Sequence, residues 1–371
     1  MVCLIHAGDP FAQAMPRAMC RLSRLCLAHV RNQFSAGREM KCPVTVSPMK
    51  LLDGDETGPP EGGAMCFIGV TTGASLSNRL FPYWTRALGV AGPCRLVGID
   101  LPLGASPQAF RQVVVDLRGV PDIRGALVTS HKISLLDASR DLFDRIDDTS
   151  AQSGEVGCIT VRGGRLTALA LDPLTSALAM DQFVPPAHWA RHLGSRVLCF
   201  GAGGAGTAIG LGLATRTTSA NVPSHFLIVD RVQTRVDHAV RVIREAVQTN
   251  GSAMTVEGCV VRVPSDCDAL VDALSPRSLV INATGMGKDT AGSPVTASVR
   301  FPDHGLVWDL NYRGERLFLQ YAQSADQSLG LVVVDGWDYF AVSWTEHLAR
   351  IYGMALSPDL RRKIVAGTIR P

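Results

Sequence analysis

The sequence predicts an α/β protein of two domains, one of them built on a doubly wound, mainly parallel sheet. From Met65 onward, short apolar runs alternate with helical stretches, which is typical of βα units. A glycine-rich turn, Gly201 to Gly206 (GAGGAG), comes directly after one apolar run and directly before a helical pattern. The chain has 371 residues, of which 46% are hydrophobic, so it can bury a core in each domain.

The predicted elements follow one another in the order expected of a doubly wound fold. The predicted strands are Cys66–Val70, Cys94–Asp100, Gly125–Val128, Val197–Gly201, His225–Asp230, Ser278–Ala283, Gly305–Leu310 and Leu331–Val334. The predicted helices are Asn78–Leu88, Pro107–Leu117, Pro173–Asp181, Gly204–Thr215, Thr234–Gln248 and Ser265–Leu274. Two further apolar runs, Cys158–Arg162 and Arg165–Leu171, flank Gly163-Gly164, a turn signal for a β-hairpin.

The domain boundary is predicted where Val184-Pro185-Pro186 interrupts a helical stretch before a new strand. We therefore expect a first domain over residues 63–185, with residues 338–371 packing back onto it, and a second over 186–337. Residues 1–62 form an N-terminal extension. It is rich in arginine and poor in acidic residues, which is typical of a targeting segment. A disordered extension, or a start codon assigned upstream of Met65, are the alternatives.

Composition and charge exclude several classes of function. The formal net charge of +3 comes from scattered basic residues, so nucleic acid is not expected as a partner. The ten cysteines include no C-x-x-C pair and no Cys/His cluster at zinc spacing, which favours reduced thiols in a cytoplasmic protein and no metal site. The uncharged run from Val197 to Thr215 is too rich in glycine for a membrane span, so no membrane partner is expected.

The glycine-rich turn predicts a Rossmann-type dinucleotide site. Gly201 allows the tight turn, Gly203 lets a pyrophosphate approach the backbone, and Gly206 lets helix and strand pack closely. Gly204 and Ala205 lie at the helix N-terminus, whose free N–H groups bind phosphate.

The next apolar strand ends in Asp230, and this residue bears on the choice of cofactor. An acidic side chain there accepts hydrogen bonds from the adenine ribose and repels the 2′-phosphate of NADP. The sequence therefore favours NAD over NADP. The competing interpretation is that Arg231 contacts a phosphate and that Asp230 only caps a turn.

Several motifs together resemble the shikimate/quinate dehydrogenase family over about residues 65 to 350. The stretch from Ile68 to Ser77 resembles the family's Ser-x-Ser motif, so Ser75 and Ser77 are expected to bind a substrate carboxylate. Taken alone, these two serines would more often be helix caps. The resemblance implies a second, α/β substrate-binding domain beside the Rossmann-type domain.

The resemblance also implies a catalytic pair. The stretch from Gly125 to Lys132 resembles the strand end that carries the family's catalytic lysine, with Thr129 as a candidate substrate contact. The predicted hairpin resembles the one that delivers the paired aspartate, which is Asp172 here. Hydride transfer from a carbinol carbon requires a positioned group that takes the hydroxyl proton, and this pair supplies it.

The nicotinamide half of the site has matching motifs as well. Asn282, Ala283 and Thr284 resemble the family's Asn-Ala-Thr sequence, in which backbone groups meet the cofactor. Tyr312 matches a tyrosine that lines the substrate cleft, and Gly336 matches a backbone contact near the nicotinamide amide.

The chain departs from the family at several positions. Ile159 stands where an asparagine is usual and Ser343 where a glutamine is usual. An apolar group in a pocket for hydroxyls leaves them unpaired, so we expect a substrate other than shikimate. The lysine motif is one residue short, and its His131 is either a new substrate contact or proton carrier, or a packing residue.

The sequence thus predicts an NAD-dependent oxidoreductase acting on a secondary hydroxyl or ketone of a small carboxylated ring or polyol. A non-catalytic ligand-binding or regulatory protein with the same fold is the alternative. The lost polar positions favour that alternative, whereas retention of both Lys132 and Asp172 opposes it. The sequence leaves open whether the protein forms a homodimer.

Overall fold

The structure, a computed structural model, describes residues 61–216, 221–288, 290–325 and 327–370. The interpretations of the N-terminal extension concern residues 1–60, which lie outside the described residues. Glu61 and Gly62, which the sequence assigned to that extension, belong to the first strand, in which Glu61 pairs with Ala91 and Gly62 lies at a bulge.

The strands are β1 (Glu61–Gly69), β2 (Ala91–Asp100), β3 (Ile123–Val128), β4 (Arg145–Ile146), β5 (Cys158–Arg162), β6 (Arg165–Leu169), β7 (Val197–Phe200), β8 (His225–Asp230), β9 (Thr255–Val260), β10 (Leu279–Asn282), β11 (Leu306–Asp309) and β12 (Val332–Val334). They form two six-stranded sheets, one from β1 to β6 and the other from β7 to β12. The predicted α/β class with two sheet-centred units is confirmed; the exact domain bounds stay a prediction.

The first sheet has the order β2-β1-β3-β5-β6-β4. Strand β1 runs parallel to β2 and β3, whereas β5 runs antiparallel to β3 and to β6. The predicted hairpin is present, since Arg162 pairs with Arg165 across Gly163 and Gly164. These two glycines have φ of 52° and 74°, and a two-residue turn with both φ positive matches the twist of the strands.

The second sheet is entirely parallel in the order β12-β11-β10-β7-β8-β9. This is the strand order of the Rossmann fold, with the switch point between β7 and β10. Ligands of open parallel sheets bind outside the carboxyl ends of the strands at such a point, and the glycine turn follows β7 there. The sequence missed β9 because exposed Thr255 and Glu257 alternate with a single buried valine at the edge of the sheet.

The helices are α1 (Ser77–Ala87), α2 (Pro107–Gly119), α3 (Lys132–Ser139), α4 (Asp148–Ser153), α5 (Asp172–Met180), α6 (His188–Arg191), α7 (Gly204–Ala214), α8 (Gln233–Asn250), α9 (Pro264–Asp272), α10 (Leu317–Gln323), α11 (Trp337–Ile351) and α12 (Pro358–Ala366). All six predicted helices are present within two residues at each end. Helix α3 was missed because its two buried leucines, Leu135 and Leu136, are adjacent and give no helical periodicity.

Each sheet is buried on both faces. In β7, Val197 and Cys199 pack on one side with α7 and α8, while Leu198 and Phe200 pack on the other. Cys199 is fully buried and packs as a small hydrophobic residue, and burial raises the pKa of its thiol. Among the described residues, no helix combines the length and apolar character needed to cross a membrane.

Helix α11 returns from the second sheet to cover a face of the first. Trp344 stacks on Trp84 of α1 with ring centroids 5.4 Å apart and meets Phe67 of β1 edge-on at 5.0 Å. The helix also contacts α5, whose first residue is Asp172. The aromatic contacts therefore fix the inward face of α11 relative to the ends of β3 and β5.

The glycine turn itself supplies a test of the packing. A Cβ atom at Gly206 would lie 1.9 Å from the carbonyl oxygen of Gly201, so Gly206→Ala must displace backbone. We expect its free energy of unfolding to fall by about 1–3 kcal/mol, which urea denaturation followed by circular dichroism measures. Gly119→Ala, the same change in α2 where no atom lies within 4 Å, is the control and should lose no stability. Equal stability of the two variants would contradict the packing described.

Candidate active site

Lys132 and Asp172 form a partly buried ion pair. Lys132 is the first residue of α3, just after β3, and Asp172 is the first residue of α5, just after β6. Nζ of Lys132 donates a hydrogen bond to Oδ2 of Asp172, and the two side chains are 21% and 13% exposed. Asp172 also lies in the first turn of its helix, where the helix dipole favours a negative charge.

Both members of the pair are held in the charged state. Burial opposes the charge on Lys132, but the carboxylates of Asp172 and Glu155 outweigh it and raise the pKa above its ordinary 10.5. Burial likewise opposes the charge on Asp172, and the cation of Lys132 outweighs it, so that pKa lies below 3.8. At neutral pH the site therefore presents an ammonium group and a carboxylate side by side.

Three further polar side chains surround the pair, and the sequence predicted none of them. Glu155 precedes β5 and is 9% exposed; burial raises its pKa. His347 of α11 is 2% exposed. Tyr339, two helical turns earlier on the same face, is half-buried, and burial and the charge of Asp172 raise its pKa. For Tyr339 and His347, the available signal was their separation by eight residues, which places them on the same face of α11.

Ser75 lies in the turn after β1 and Ser77 is the first residue of α1, and the two serines interact with each other. The hydroxyl of Ser77 donates to Oγ of Ser75 at 2.7 Å, and the backbone N–H of Ser77 donates to the same oxygen at 3.3 Å. Ser77 is fully buried, whereas Ser75 is half-buried. Because Ser75 accepts both bonds, its own hydroxyl hydrogen is left to donate to a ligand.

The other predicted substrate contacts are spread over the cleft. Thr129 is exposed at the end of β3 and donates to the carbonyl oxygen of Ile68 at 3.2 Å. Ser343 lies one helical turn before His347, and its carbonyl oxygen is 2.7 Å from Nδ1 of that histidine. Tyr312 stacks on Phe340 with centroids 4.5 Å apart, so its ring belongs to the aromatic cluster at the start of α11.

The structure changes the interpretation of two residues at which the sequence departs from the family, Ile159 and His131. Ile159 is fully buried in the core beneath β5, because strand alternation turns it toward Leu135 and Val156, so it is not a lining residue of an open pocket. His131 is 4% exposed; its Nε2 lies 2.9 Å from the carbonyl oxygen of Leu101 and its ring packs on Phe110. His131 therefore has the packing role, and Ile159 carries no information about the substrate.

At the glycine turn, the ends of β7 and β10 lie in close contact. Gly201 has φ of 102°, and a Cβ atom there would lie 2.7 Å from the carbonyl oxygen of Ala283. No atom lies within 4 Å of the Cβ position at Gly203, which leaves room for a ligand above the backbone. Gly204 and the half-buried Ala205 begin α7. The backbone is therefore free to meet a phosphate at this point.

Glu155 connects the glycine turn with the ion pair. A Cβ atom at Gly204 would lie 2.8 Å from Oε1 of Glu155, so this carboxylate sits against the start of α7. The same carboxylate raises the pKa of Lys132. The predicted cofactor turn and the predicted catalytic pair are thus neighbours across one cleft.

Asp230, the last residue of β8, stabilises the glycine turn that follows β7. Its Oδ2 accepts a hydrogen bond from the backbone N–H of Ala202 at 2.9 Å, and its Oδ1 accepts one from Val232 at 3.0 Å. A cavity of about 230 Å³ beside it is lined by Gly201, Gly203, Thr284 and three arginines, namely Arg231, Arg235 and Arg262. The sequence singled out Arg231 alone; Arg235 follows it in the first turn of α8, and Arg262 comes from the loop after β9.

Asn282, Ala283 and Thr284 form the loop after β10. Oδ1 of Asn282 accepts from the hydroxyl of Thr284 at 2.7 Å, and its Nδ2 donates to Oδ1 of Asp309 at 3.1 Å. Asp309 is fully buried, and burial raises its pKa to about 6. The side chain of Asn282 therefore shapes the loop, and backbone groups are what the loop can offer a cofactor.

Gly336 lies between β12 and α11, against the residue that follows β11. A Cβ atom there would be 1.9 Å from the carbonyl oxygen of Leu310, so a larger residue does not fit. The preceding Asp335 is ion-paired with Arg316 at 3.0 Å and with Arg370 at 2.7 Å, and it caps the start of α11. This turn is consequently rigid.

Known proteins resemble the chain in sequence and in fold, although no family model matches it. It is 25% identical to a shikimate dehydrogenase (NADP(+)) of Haloarcula marismortui over 271 residues, which are 72% of this chain and 85% of that protein. The quinate dehydrogenase of Corynebacterium glutamicum, solved in complex with NAD, superimposes with a TM-score of 0.63 at 20% identity, covering 82% of this chain and 99% of that one.

A 5-ketofructose reductase of a Gluconobacter species has the same architecture, with a TM-score of 0.59 and 19% identity over 83% of this chain and 99% of that chain. The chain is thus similar in sequence to a shikimate dehydrogenase, and it has the fold of a quinate dehydrogenase and a 5-ketofructose reductase.

Proposed function

We propose that the protein is an NAD(P)-dependent oxidoreductase that transfers hydride between a nicotinamide cofactor and a secondary hydroxyl or ketone of a small carboxylated ring or polyol. One observation carries the proposal: the partly buried Lys132–Asp172 pair lies in the same cleft as the glycine turn, with Glu155 between them. A dehydrogenase needs a group that handles the hydroxyl proton beside a dinucleotide, and this arrangement supplies both.

The chain's own residues have separable roles in this chemistry. Gly201 to Gly206 and the backbone of the Asn282–Thr284 loop hold the dinucleotide, whose nicotinamide ring supplies the hydride acceptor or donor when bound. The ammonium group of Lys132 stabilises negative charge on the reacting oxygen, and Asp172 orients that ammonium group. The half-buried hydroxyl of Ser75, supported by Ser77, donates to the substrate carboxylate.

The non-catalytic alternative has little support. A pure binding protein gains nothing from a buried ion pair, since removing two charges from water costs free energy that apolar side chains would not. The three proteins named above are two dehydrogenases and a reductase. Ile159, one of the losses that favoured the alternative, lies in the core.

The cofactor site accepts NADP as well as NAD. Asp230 favours NAD, because each of its oxygens accepts one backbone hydrogen bond and keeps a lone pair for a ribose hydroxyl. Arg231, Arg235 and Arg262 line the same cavity, and none of them has an ion-pair partner among the described residues. Three positive charges beside one carboxylate compensate for its repulsion of a 2′-phosphate.

Substitution of the lysine tests the reaction. Lys132→Ala should lower kcat by about 100-fold or more, because the charge that stabilises the reacting oxygen is removed, while the Kd for the cofactor changes little. NAD(P)H absorbance measures the rate, and cofactor fluorescence measures binding. Lys363→Ala, at an exposed position of α12, is the control and should retain the wild-type rate. Unimpaired turnover by Lys132→Ala would refute its assigned role.

Substitution of the arginines tests the cofactor. Arg235→Ser should weaken NADP binding by about tenfold or more and NAD binding much less, because only NADP carries the phosphate that the guanidinium group contacts. Arg241 is a surface residue further along α8 that is ion-paired with Glu245, so Arg241→Ser should change neither Kd. An NAD affinity of the wild-type protein more than tenfold above that for NADP would overturn the dual-cofactor proposal and restore the preference for NAD.

A further inference from the structure

We propose that Glu155 binds the ribose next to the nicotinamide ring of the cofactor, with its carboxylate accepting hydrogen bonds from the two hydroxyls of that ribose. The inference rests on the cofactor-dependent function proposed above, and it leaves the hydroxyl proton to Lys132 and Asp172. It gives the cofactor a contact from the first sheet, whereas the glycine turn and the Asn282–Thr284 loop belong to the second.

The carboxylate of Glu155 is buried without a hydrogen-bond donor. The residue is 9% exposed, and none of the described residues donates a hydrogen bond to either of its carboxylate oxygens. The ammonium group of Lys132 donates to Asp172 rather than to Glu155. Nearly all buried polar groups are hydrogen-bonded, because an unpaired one loses its hydration without compensation. A bound molecule that offers hydroxyl groups would complete this site.

The backbone holds Glu155 beside the ion pair. Helix α4 ends at Gly154, whose φ of 70° turns the chain. The N–H of Val156, on the other side of Glu155, donates to the carbonyl oxygen of Lys132 at 3.2 Å. The position of Glu155 in the cleft is therefore set by the end of α4 and by the residue that carries the ammonium group.

The carboxylate meets the phosphate-binding turn. Its Oε1 and Oε2 lie 2.8 Å and 3.3 Å from the position that a Cβ atom at Gly204 would take. Helix α7 begins at Gly204, and no side chain caps its first N–H groups. The carboxylate thus lies beside the helix N-terminus without using those N–H groups, which stay free for a pyrophosphate.

The order of groups in a dinucleotide indicates which part of it faces Glu155. In NAD and NADP a ribose connects the pyrophosphate with the nicotinamide ring. The turn binds the pyrophosphate, and the ring must reach the Lys132–Asp172 pair for hydride transfer. Glu155 touches the turn and raises the pKa of Lys132, so the ribose is the group that passes it. One carboxylate can accept from both hydroxyls of a ribose, as an acidic residue does at the adenine end.

Two ligands that differ in this ribose isolate the contact. ADP-ribose carries it, whereas ADP with a methyl ester on its second phosphate has the same charge and lacks it. Wild-type protein should bind ADP-ribose about tenfold or more tightly than the methyl ester, because hydrogen bonds to a charged group are strong. Isothermal titration calorimetry measures both Kd values without substrate or turnover.

Two substitutions of Glu155 separate its charge from its reach. Glu155→Gln keeps the size and removes the charge, and Glu155→Asp keeps the charge on a shorter side chain. Each should bring the Kd for ADP-ribose to within about threefold of that for the methyl ester, whose own Kd should stay near the wild-type value. Asp148→Asn, at an exposed position of α4, is the control and should retain the wild-type ratio of the two Kd values.

Two results would overturn the inference. If Glu155→Gln binds both ligands more tightly than the wild type, the carboxylate repels the pyrophosphate and does not hold the ribose. If both Kd values are unchanged and the KM for the alcohol rises, Glu155 binds a substrate hydroxyl instead.

Failure of the inference can be told apart from failure of the proposed function. Wild-type protein that binds neither ADP-ribose nor NAD(P)H would refute both. Cofactor-dependent turnover with a ratio of Kd values that is indifferent to Glu155 would refute only the ribose contact. A ratio that both Glu155 variants abolish supports the contact even without turnover of any alcohol or ketone, in which case the dehydrogenase function alone is refuted.

Discussion

The ion pair between Lys132 and Asp172 sets the requirements that the surrounding structure meets. Two charges withdrawn from water are costly unless each is paired and hydrogen-bonded, so the elements that carry them must be held in register. Lys132 follows β3 and Asp172 follows β6, and the antiparallel strand β5 between these two strands fixes their separation. The hairpin turn at Gly163 and Gly164 lies at the far end of these strands. It nevertheless helps to position Asp172, because it sets the pairing of β5 with β6.

The same cleft joins the two sheets. Glu155 lies against Gly204 at the start of α7 while its charge acts on Lys132, so the phosphate-binding turn and the reacting centre share one electrostatic environment. Helix α11 begins at the rigid turn of Asp335 and Gly336 beside the second sheet and ends against the first. Its inward face brings His347 to the ion pair, and its aromatic residues hold that face in place.

The sequence predicted the parts of the fold and site that depend on local pattern. The glycine turn, the hairpin and the residues at the ends of β3 and β6 are short motifs whose geometry follows from neighbouring residues. Glu155, His347, Arg235 and Arg262 were missed because their roles depend on which distant elements they meet. Ile159 was misjudged for a similar reason, since strand alternation places its side chain in the core rather than in the cleft.

The central claim is that this cleft performs hydride transfer. The most direct test is a screen of carboxylated ring and polyol alcohols, and of the corresponding ketones, with purified full-length protein and both NAD and NADP, following absorbance of the reduced cofactor. The account predicts a substrate-dependent change in that absorbance with at least one compound. Ligands that raise the unfolding temperature without any change in reduced cofactor across the panel would contradict it and indicate a binding protein.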